Sequence, residues 1–337
     1  MLAVSILYNE PVLPPDHPDW ASEAGVLEAV EAVEAALAKR GHRVRRLPVT
    51  GSPAALATAL QSSPCDVIVN LCEGLQGSGA GESQVAGLLE LCGAPHTGAG
   101  SECLSLVRDK AVTKWLLLGA GLPTAAFQRI GDEPLPQAAL ARLLAAGPVI
   151  VKPAREDASL GIGPASVVTD MSALERQIDE VRQRYGQALV EQFIAGREFN
   201  VGLLALPELQ ALPLAEIEFG QQTSQPWKLV TYDAKWTPES PDYGGTPVRC
   251  PADASPELAA ELARVSLAAF RLTGCRDYAR VDLRVDEQDR VFILEINANP
   301  DISPSAGLAR ALRVGGVSYE EFIERLVQTA ARRGRCP

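Results

Sequence analysis

The strongest constraint on how this chain folds is the run Arg280-Val-Asp-Leu-Arg-Val-Asp-Glu-Gln-Asp-Arg-Val-Phe-Ile-Leu-Glu-Ile-Asn-Ala-Asn-Pro-Asp-Ile-Ser303. Val281, Leu283 and Val285 alternate with Asp282 and Arg284, residues 286–289 supply turn chemistry, and Val291 to Leu294 return as an apolar strand, so the segment reads as a β-hairpin. Glu295 and Asn297 stand two residues apart and share one face of an extended chain, with Asp282 on the partner strand placed to sit across from them. Three oxygen-donating side chains converging at one end of a hairpin make a poor core and a good hard-cation site of the kind Mg²⁺ prefers. Taken alone, the same acids fit an ordinary solvated hairpin more readily.

A chain of 337 residues predicts two or three domains with more than one core, large enough for an enzyme with a cleft. No apolar run approaches the roughly eighteen residues of a membrane span. The opening Met1-Leu-Ala-Val-Ser-Ile-Leu-Tyr8 lacks a basic leader and reads as a first strand, so a cytoplasmic protein is expected. Seven scattered cysteines without Cys-x-x-Cys spacing argue against a disulfide framework or a structural zinc. His17, His42 and His96 are too far apart in sequence to favour a Ser-His-Asp or His-rich metal mechanism. A net charge of −11 disfavours nucleic acid, which demands dense Lys and Arg. Small-molecule chemistry is the expectation.

Along the chain, Val4 to Leu7 reads as a strand, Ser22 as the cap of a long helix carrying Val26, Val30, Val33 and Leu37, and Val44 to Leu47 as the next strand. A second helix around residues 54–60 leads to the apolar strand Asp66-Val-Ile-Val-Asn-Leu71, so the first hundred residues form an α/β layer over a mostly parallel sheet. The glycine-rich loop Cys72 to Glu82 then reads either as a ligand loop at the sheet edge or as a connector. No P-loop or well-placed Gly-x-Gly-x-x-Gly is present.

One helix is predicted from Leu104 to Leu118, carrying Asp109 and Lys110. Pro148-Val-Ile-Val-Lys-Pro153 is a strand whose Lys152 reads either as an anion ligand beside the loop 154–163 or as a snorkelling edge lysine. Leu189 to Ile194 is a further strand. Glu191 and Glu198 flank a turn, with Phe193 and Ile194 placed for an adenine slot and the acids placed to accept from an amino group or ribose hydroxyls. The polar excursion Gln221 to Arg249 has the length of a functional lid. Helices are expected at 257–272 and 318–332.

In their order along the chain, these features resemble the D-alanine–D-alanine ligase family of ATP-grasp enzymes. The likeness is carried by Gly81-Glu82, Leu88-Leu-Glu90, Pro95-His-Thr-Gly98, Asp109-Lys110, Val149-Ile-Val-Lys-Pro153, Val190 to Phe199, Tyr232-Asp-Ala-Lys235, Arg280-Val-Asp282 and Leu294-Glu-Ile-Asn297. It implies a three-domain ATP-grasp fold, α/β with an N-terminal mostly parallel sheet and α+β in the ATP-grasp part, divided at 1–108, 109–198 and 199–337. Lys110 and Lys152 match the family's phosphate-binding lysines, Glu191 and Glu198 its adenine and ribose contacts, and Lys235 its lid lysine. Asp282, Glu295 and Asn297 match the ligands of two Mg²⁺ ions, for which Mn²⁺ is the alternative, and Arg280 matches the arginine facing the reacting carbonyl. The implied reaction activates a carboxylate with ATP and joins it to an amine. A homodimer is also implied.

Several positions depart from the family pattern. Glu10, in Tyr8-Asn-Glu-Pro11, stands where the family's first-turn Glu holds an ammonium; Cys72-Glu73-Gly74 stands at its His-Gly; and Ala158-Ser159 stands at its Ser-Ser, leaving Ser159 as the catalytic candidate. Trp236 replaces the lid tyrosine, and Asp301-Ile-Ser303-Pro-Ser305 replaces the Gly-Met-Thr ending. Asp301 either attracts a cation and repels the carboxylate of D-alanine or shapes its own turn, and Ser303 and Ser305 are candidate donors to substrate. The leading expectation is therefore a ligase with altered substrates; D-alanine–D-alanine synthesis itself and an ATP-grasp kinase are the alternatives.

Overall fold

The computed structural model describes residues 1–12, 20, 24–49, 51–62, 64–75, 79–220, 227–237 and 239–334. Ser22, expected as a helix cap, lies outside them, as do Cys336, His17 and residues 221–226 of the predicted lid.

The first region contains β1 (Ala3–Asn9), α1 (Val26–Lys39), β2 (Arg43–Val49), α2 (Pro53–Ser62), β3 (Val67–Leu71), α3 (Gly81–Leu91) and α4 (Ser101–Arg108). The strands are parallel in the order β2-β1-β3, with Leu7 opposite both Leu47 and Asn70. All five residues of β3 are buried, as its unbroken apolar run predicts for a parallel strand covered on both faces.

The second region contains α5 (Lys110–Gly119), β4 (Phe127–Ile130), α6 (Gln137–Ala146), β5 (Val149–Pro153), β6 (Val167–Val168), α7 (Met171–Tyr185) and β7 (Ala188–Gln192). Its antiparallel sheet runs β4-β7-β5-β6, and Ile150 pairs with Glu191. Leu140, Leu174, Ile178 and Val181 pack the helices onto Val149, Val151 and Val190.

The single helix expected from Leu104 to Leu118 is two helices. Asp109 takes extended backbone angles, φ −87° and ψ 97°, and its side chain accepts from Val112 N at 3.1 Å, so it caps α5 instead of continuing α4. Helical periodicity continues through the break, so hydrophobic spacing alone does not reveal it.

The third region contains β8 (Arg197–Ala205), β9 (Leu209–Ala211), β10 (Ala215–Ile217), α8 (Tyr232–Trp236), β11 (Val248–Arg249), α9 (Pro256–Leu272), β12 (Tyr278–Val285), β13 (Val291–Asn297), α10 (Gly307–Val314) and α11 (Tyr319–Arg333). Its antiparallel sheet runs β11-β10-β8-β12-β13, with β9 added to β8. Leu262, Val265, Ala269 and Phe270 of α9 pack against Phe199, Val281, Leu283 and Ile293. Gly196, at φ +137°, makes the passage between β7 and β8; a Cβ there would collide with the Val285 carbonyl oxygen.

The helix α11 returns to the first region. Phe322, Ile323, Leu326 and Val327 share one core with Val4, Ile6, Val30, Val33, Val67 and Val69. Among the described residues, six cysteines are free, and no helix is long and apolar enough to cross a membrane.

Candidate active site

The second and third sheets face each other across a cavity of about 510 Å³, within the range of small-molecule sites. One wall carries Ile150, Lys152, Ser159 and Glu191; the other carries Glu198, Asn200, Arg280, Asp282, Arg284 and Glu295. Phe193, Ile194 and Lys235 also line it.

The hairpin delivers its polar face as the alternation requires. Asp282 pairs with Glu295 and Arg280 with Asn297, while the register shifts between Asp282 and Leu283. Leu294 is the extra residue of that bulge and lines the cavity, a local bend of the kind that re-aims side chains at sites. Asp282 is densely held. Arg280 grips it through two bonds of 2.7 and 2.8 Å, Asn200 Nδ2 donates at 2.7 Å and Asn297 Nδ2 at 3.1 Å. Arg280, expected to face a reacting carbonyl, thus lines the cavity while gripping Asp282 through Nε and Nη2.

Burial alone would raise the Glu295 carboxyl, but Lys110, Lys152, Arg280 and Lys235 together bring it down to about 2. Lys110 Nζ lies 3.6 Å from Glu295 and 2.7 Å from Asp157. Two carboxylates and the amide of Asn297 on one face offer the hard oxygen donors that suit Mg²⁺, and a Glu295 that stays ionised meets the requirement that ligands be deprotonated. Among the described residues, no group of three or more His, Cys, Asp and Glu offers a competing metal site.

Glu191, expected as an acceptor for the base, is only 2% exposed, and its carboxylate lies between Lys152 at 2.5 Å and Lys114 at 2.8 Å. Burial would raise it, yet Lys114 and Lys152 lower it to about 2. Its evident work in this structure is to hold Lys152. Lys114 itself is 1% exposed and also donates to Thr124 Oγ1 at 2.7 Å; desolvation lowers its pKa despite Glu191. Glu198 meets Arg284 at 2.6 Å, and Phe193 packs edge-on against Trp227 at 5.4 Å between centroids.

Lys235 lies on α8, whose first turn is capped by Thr231 Oγ1 accepting from Ala234 N. Desolvation, followed by the charge of Arg280, lowers the Lys235 pKa. Trp236 Nε1 donates to Ala158 O at 3.2 Å and Tyr232 N to Ile162 O at 3.1 Å, so this segment docks on the loop of the second region. In that loop Ala158 and Ser159 adopt φ of 54° and 63°, a left-handed pair without glycine, and strain of this kind clusters at functional sites.

Of the predicted substrate residues, Glu10, Asp301, Ser303 and Ser305 are not among those that line this cavity, and Asp301 reaches it through its charge on Arg280. Glu10 is exposed at the end of β1. Asp301 Oδ1 accepts from Ser303 N at 2.8 Å and Ser303 Oγ at 2.6 Å, which is the turn-shaping role foreseen as the alternative to substrate binding. Ser305 Oγ donates to Glu28 at 2.9 Å. Both serines, expected as donors to substrate, are therefore engaged by carboxylates of the chain.

Glu73 keeps part of its surface open to solvent, yet the loops crowded around it and the charge of Asp301 push it up to about 7. Glu82 is pushed up to about 8, first by burial; the bond from Asn299 favours its charged form, while Glu73 and Asp157 oppose it.

Sequence reasoning misses Lys114, Asn200 and Arg284. Arg284 was legible in principle, since Arg280, Asp282 and Arg284 fall on one face at strand spacing. Lys114 follows Lys110 at helical spacing on a face otherwise buried, and that conflict with an apolar environment was its signal.

Residues 116–328 match the family described as D-ala D-ala ligase C-terminus. The chain belongs to the D-alanine–D-alanine ligase family. Its similarity extends well beyond the matched segment. A D-alanine–D-alanine ligase of Erythrobacter litoralis is 32% identical over 320 residues, covering 92% of this chain and 90% of that protein. An uncharacterised protein of Sinorhizobium fredii is 34% identical over 313 residues, covering 90% and 87%. The crystal structure of a D-alanine–D-alanine ligase from Bacillus anthracis complexed with ATP superposes with a TM-score of 0.79 over 99% of both chains at 18% identity, and so shares the fold of this ligase.

Proposed function

We propose that this protein is an ATP- and Mg²⁺-dependent ligase that joins a carboxylate to an amine through an acyl phosphate, with a second substrate other than D-alanine. The observation that carries the reaction class is the cavity itself, where Lys152, Lys235 and Arg280 line the same space as the hard oxygen donors of Asp282 and Glu295. Such a site suits a polyphosphate together with a divalent cation.

In the first step a substrate carboxylate oxygen attacks the terminal phosphorus of ATP, and the bond to ADP breaks. In the second, the amine nitrogen attacks the acyl carbon, phosphate leaves with the C–O bond, and the nitrogen loses a proton. Lys110, Lys152 and Lys235 serve as counter-charges to the phosphates, and Glu191 holds Lys152 in place. Asp282, Glu295 and Asn297 are the residues that would hold Mg²⁺, which supplies charge neutralisation for the transferring phosphoryl group. Arg280, a cavity-lining guanidinium within the influence of Asp282, Glu295 and Asp301, is assigned to the oxyanion that develops at the acyl carbon. Ser159 and Trp236 belong to the covering loops. Glu198, Phe193 and Ile194 form the nucleoside end.

The altered second substrate is supported by the acidic groups around Asp301. Glu73, Glu82 and Asp301 gather acidic groups whose charged forms are disfavoured together, so a second carboxylate would add to that cost and an extra ammonium or guanidinium would relieve it. D-alanine–D-alanine synthesis fits the family equally well, so the test separates the two. Mg-ATP-dependent phosphate release is measured with D-alanine alone, then with pairs of amino acids, amines and small carboxylates, and products are weighed by mass spectrometry. Release only with a cationic amine, giving an amide, is the expected result. A D-alanine dipeptide at comparable rate refutes the altered substrate, and no ATP turnover across the panel removes the ligase reading.

A further inference from the structure

Arg284 has no part in the chemistry above, yet it is among the most tightly held side chains in the cavity. It is 3% exposed, and a buried guanidinium is tolerable only when paired and hydrogen-bonded. Its Nε and Nη2 both reach Glu198 Oε2, at 2.8 and 2.6 Å. Nη2 also donates to Lys228 O at 2.6 Å, and Nη1 donates to Ile194 O at 3.2 Å. Three of its five N–H bonds are thereby used in hydrogen bonds, with the Nη2 contact to Glu198 an ion pair besides. The rings of Phe193 and Phe219 stand 5.5 and 5.2 Å from its guanidinium carbon, within cation–π range. A guanidinium tied to β8, to the turn before it and to the segment leading into α8 is a fixed post.

The distribution of bonds on Glu198 is uneven. Both contacts fall on Oε2, which leaves Oε1 of this cavity-lining carboxylate available to a ligand. We propose that Arg284 is a positioning residue for nucleotide recognition, fixing Glu198 so that its second oxygen accepts from a ribose hydroxyl and fixing Phe193 against the base. The inference rests on the reading of the cavity as a nucleotide site. Without the guanidinium, Glu198 sits in an apolar-walled pocket with no forked partner to set its orientation, and the ribose contact is lost with it.

The test is calorimetric titration of the full chain with Mg²⁺ and ATP, 2′-deoxy-ATP or 3′-deoxy-ATP. The unaltered protein is expected to favour ATP by about tenfold over at least one deoxynucleotide, the size of a hydrogen bond to a charged group. Glu198→Gln and Arg284→Met should each bring that ratio to within about twofold of unity, and the double variant should go no further, because both act through one contact. A merely structural arginine would weaken the three nucleotides alike. An Arg284→Met protein that keeps the discrimination overturns the proposal, as does an unaltered protein or a Glu198→Gln protein whose ratio contradicts the ribose contact. Should Arg284→Met fail to fold, Arg284→Lys carries the test: it keeps the charge without the fork and should lose the ratio, and retention of the ratio overturns the proposal. Failure of the unaltered protein to bind any of the nucleotides is a different result, which sinks the nucleotide reading of the cavity.

Discussion

Glu191, Glu198, Asp282 and Glu295, in the cavity between the second and third sheets, each face a cation of the chain: Lys114 and Lys152, Arg284, Arg280, and Lys110. Beside the first sheet, the hydrogen bonds made to Glu82 and Asp301 come from neutral donors, Asn299 and Ser303, and Glu73 and Glu82 are driven up to about 7 and 8. Carboxylates paired in advance hold lysines and arginines at set positions for an anion. Carboxyls whose charge is disfavoured first by desolvation and then by their acidic neighbours are relieved by a cation from outside. The comparison separates a preorganised phosphate side from a substrate side waiting for its counter-charge.

The sharpest way to break that comparison is at Arg280. Arg280→Ala should cut ligation by about 10²–10³-fold, the range found on removing one donor to a developing oxyanion, while ATP binding persists. Turnover within threefold of the unaltered enzyme would place Arg280 outside the reaction and leave it as a clamp on Asp282. The next largest effect concerns the buried triad. Lys114→Met leaves Glu191 with one lysine in a dry interior, and removal of one member of such a pair costs about 3–5 kcal/mol. Urea unfolding measures the loss, and a change of less than about 1 kcal/mol would show that Lys152 alone balances Glu191.

On the substrate side, Asp301→Gly should shift the preference between a cationic and a neutral amine by about tenfold, or about 1.4 kcal/mol. Competition between the two amines, read as the ratio of products, measures it; an unchanged ratio confines Asp301 to its turn with Ser303.

The smallest effect is on stability. Because Glu82 titrates at about 8 in the folded chain, above the ordinary 4.5, the folded state binds more protons than the unfolded one between those values. Its contribution to stability is therefore full below about 4.5 and declines as pH rises toward 8. Glu82→Gln keeps an acceptor for Asn299 and removes the titration, so its Tm should match the unaltered protein near pH 5 and exceed it by about 2 °C at pH 8.5. A constant offset across pH would assign the difference to packing.

Much of this was legible in the chain because strands of period two announce which side chains share a face. The hairpin's alternation put Asp282, Glu295 and Asn297 on a common face, and β3 read as buried from its unbroken apolar run, whereas Lys152 left β5 open between a buried and an edge strand. What stayed hidden was partnership. Spacing places Glu191 near a ligand site but is silent on Lys114, which reaches it from another element. It offers Ser303 and Ser305 as donors but does not show that Asp301 and Glu28 already receive them. The break at Asp109 escaped because a cap changes backbone angles without disturbing hydrophobic periodicity.

The return of α11 to the first sheet has a consequence for the order in which the molecule is completed. Val30 and Val33 of α1 and Val67 and Val69 of β3 share a core with Phe322, Leu326 and Val327, more than two hundred residues later in the chain. During synthesis from the N-terminus, the first sheet emerges with part of its apolar face uncovered and stays so until residues 319–333 have left the ribosome. The second region draws its core from residues 130–190 alone and has no such wait. The first of the three layers to be made is therefore completed only by the last of their helices, and until then it presents an uncovered apolar face.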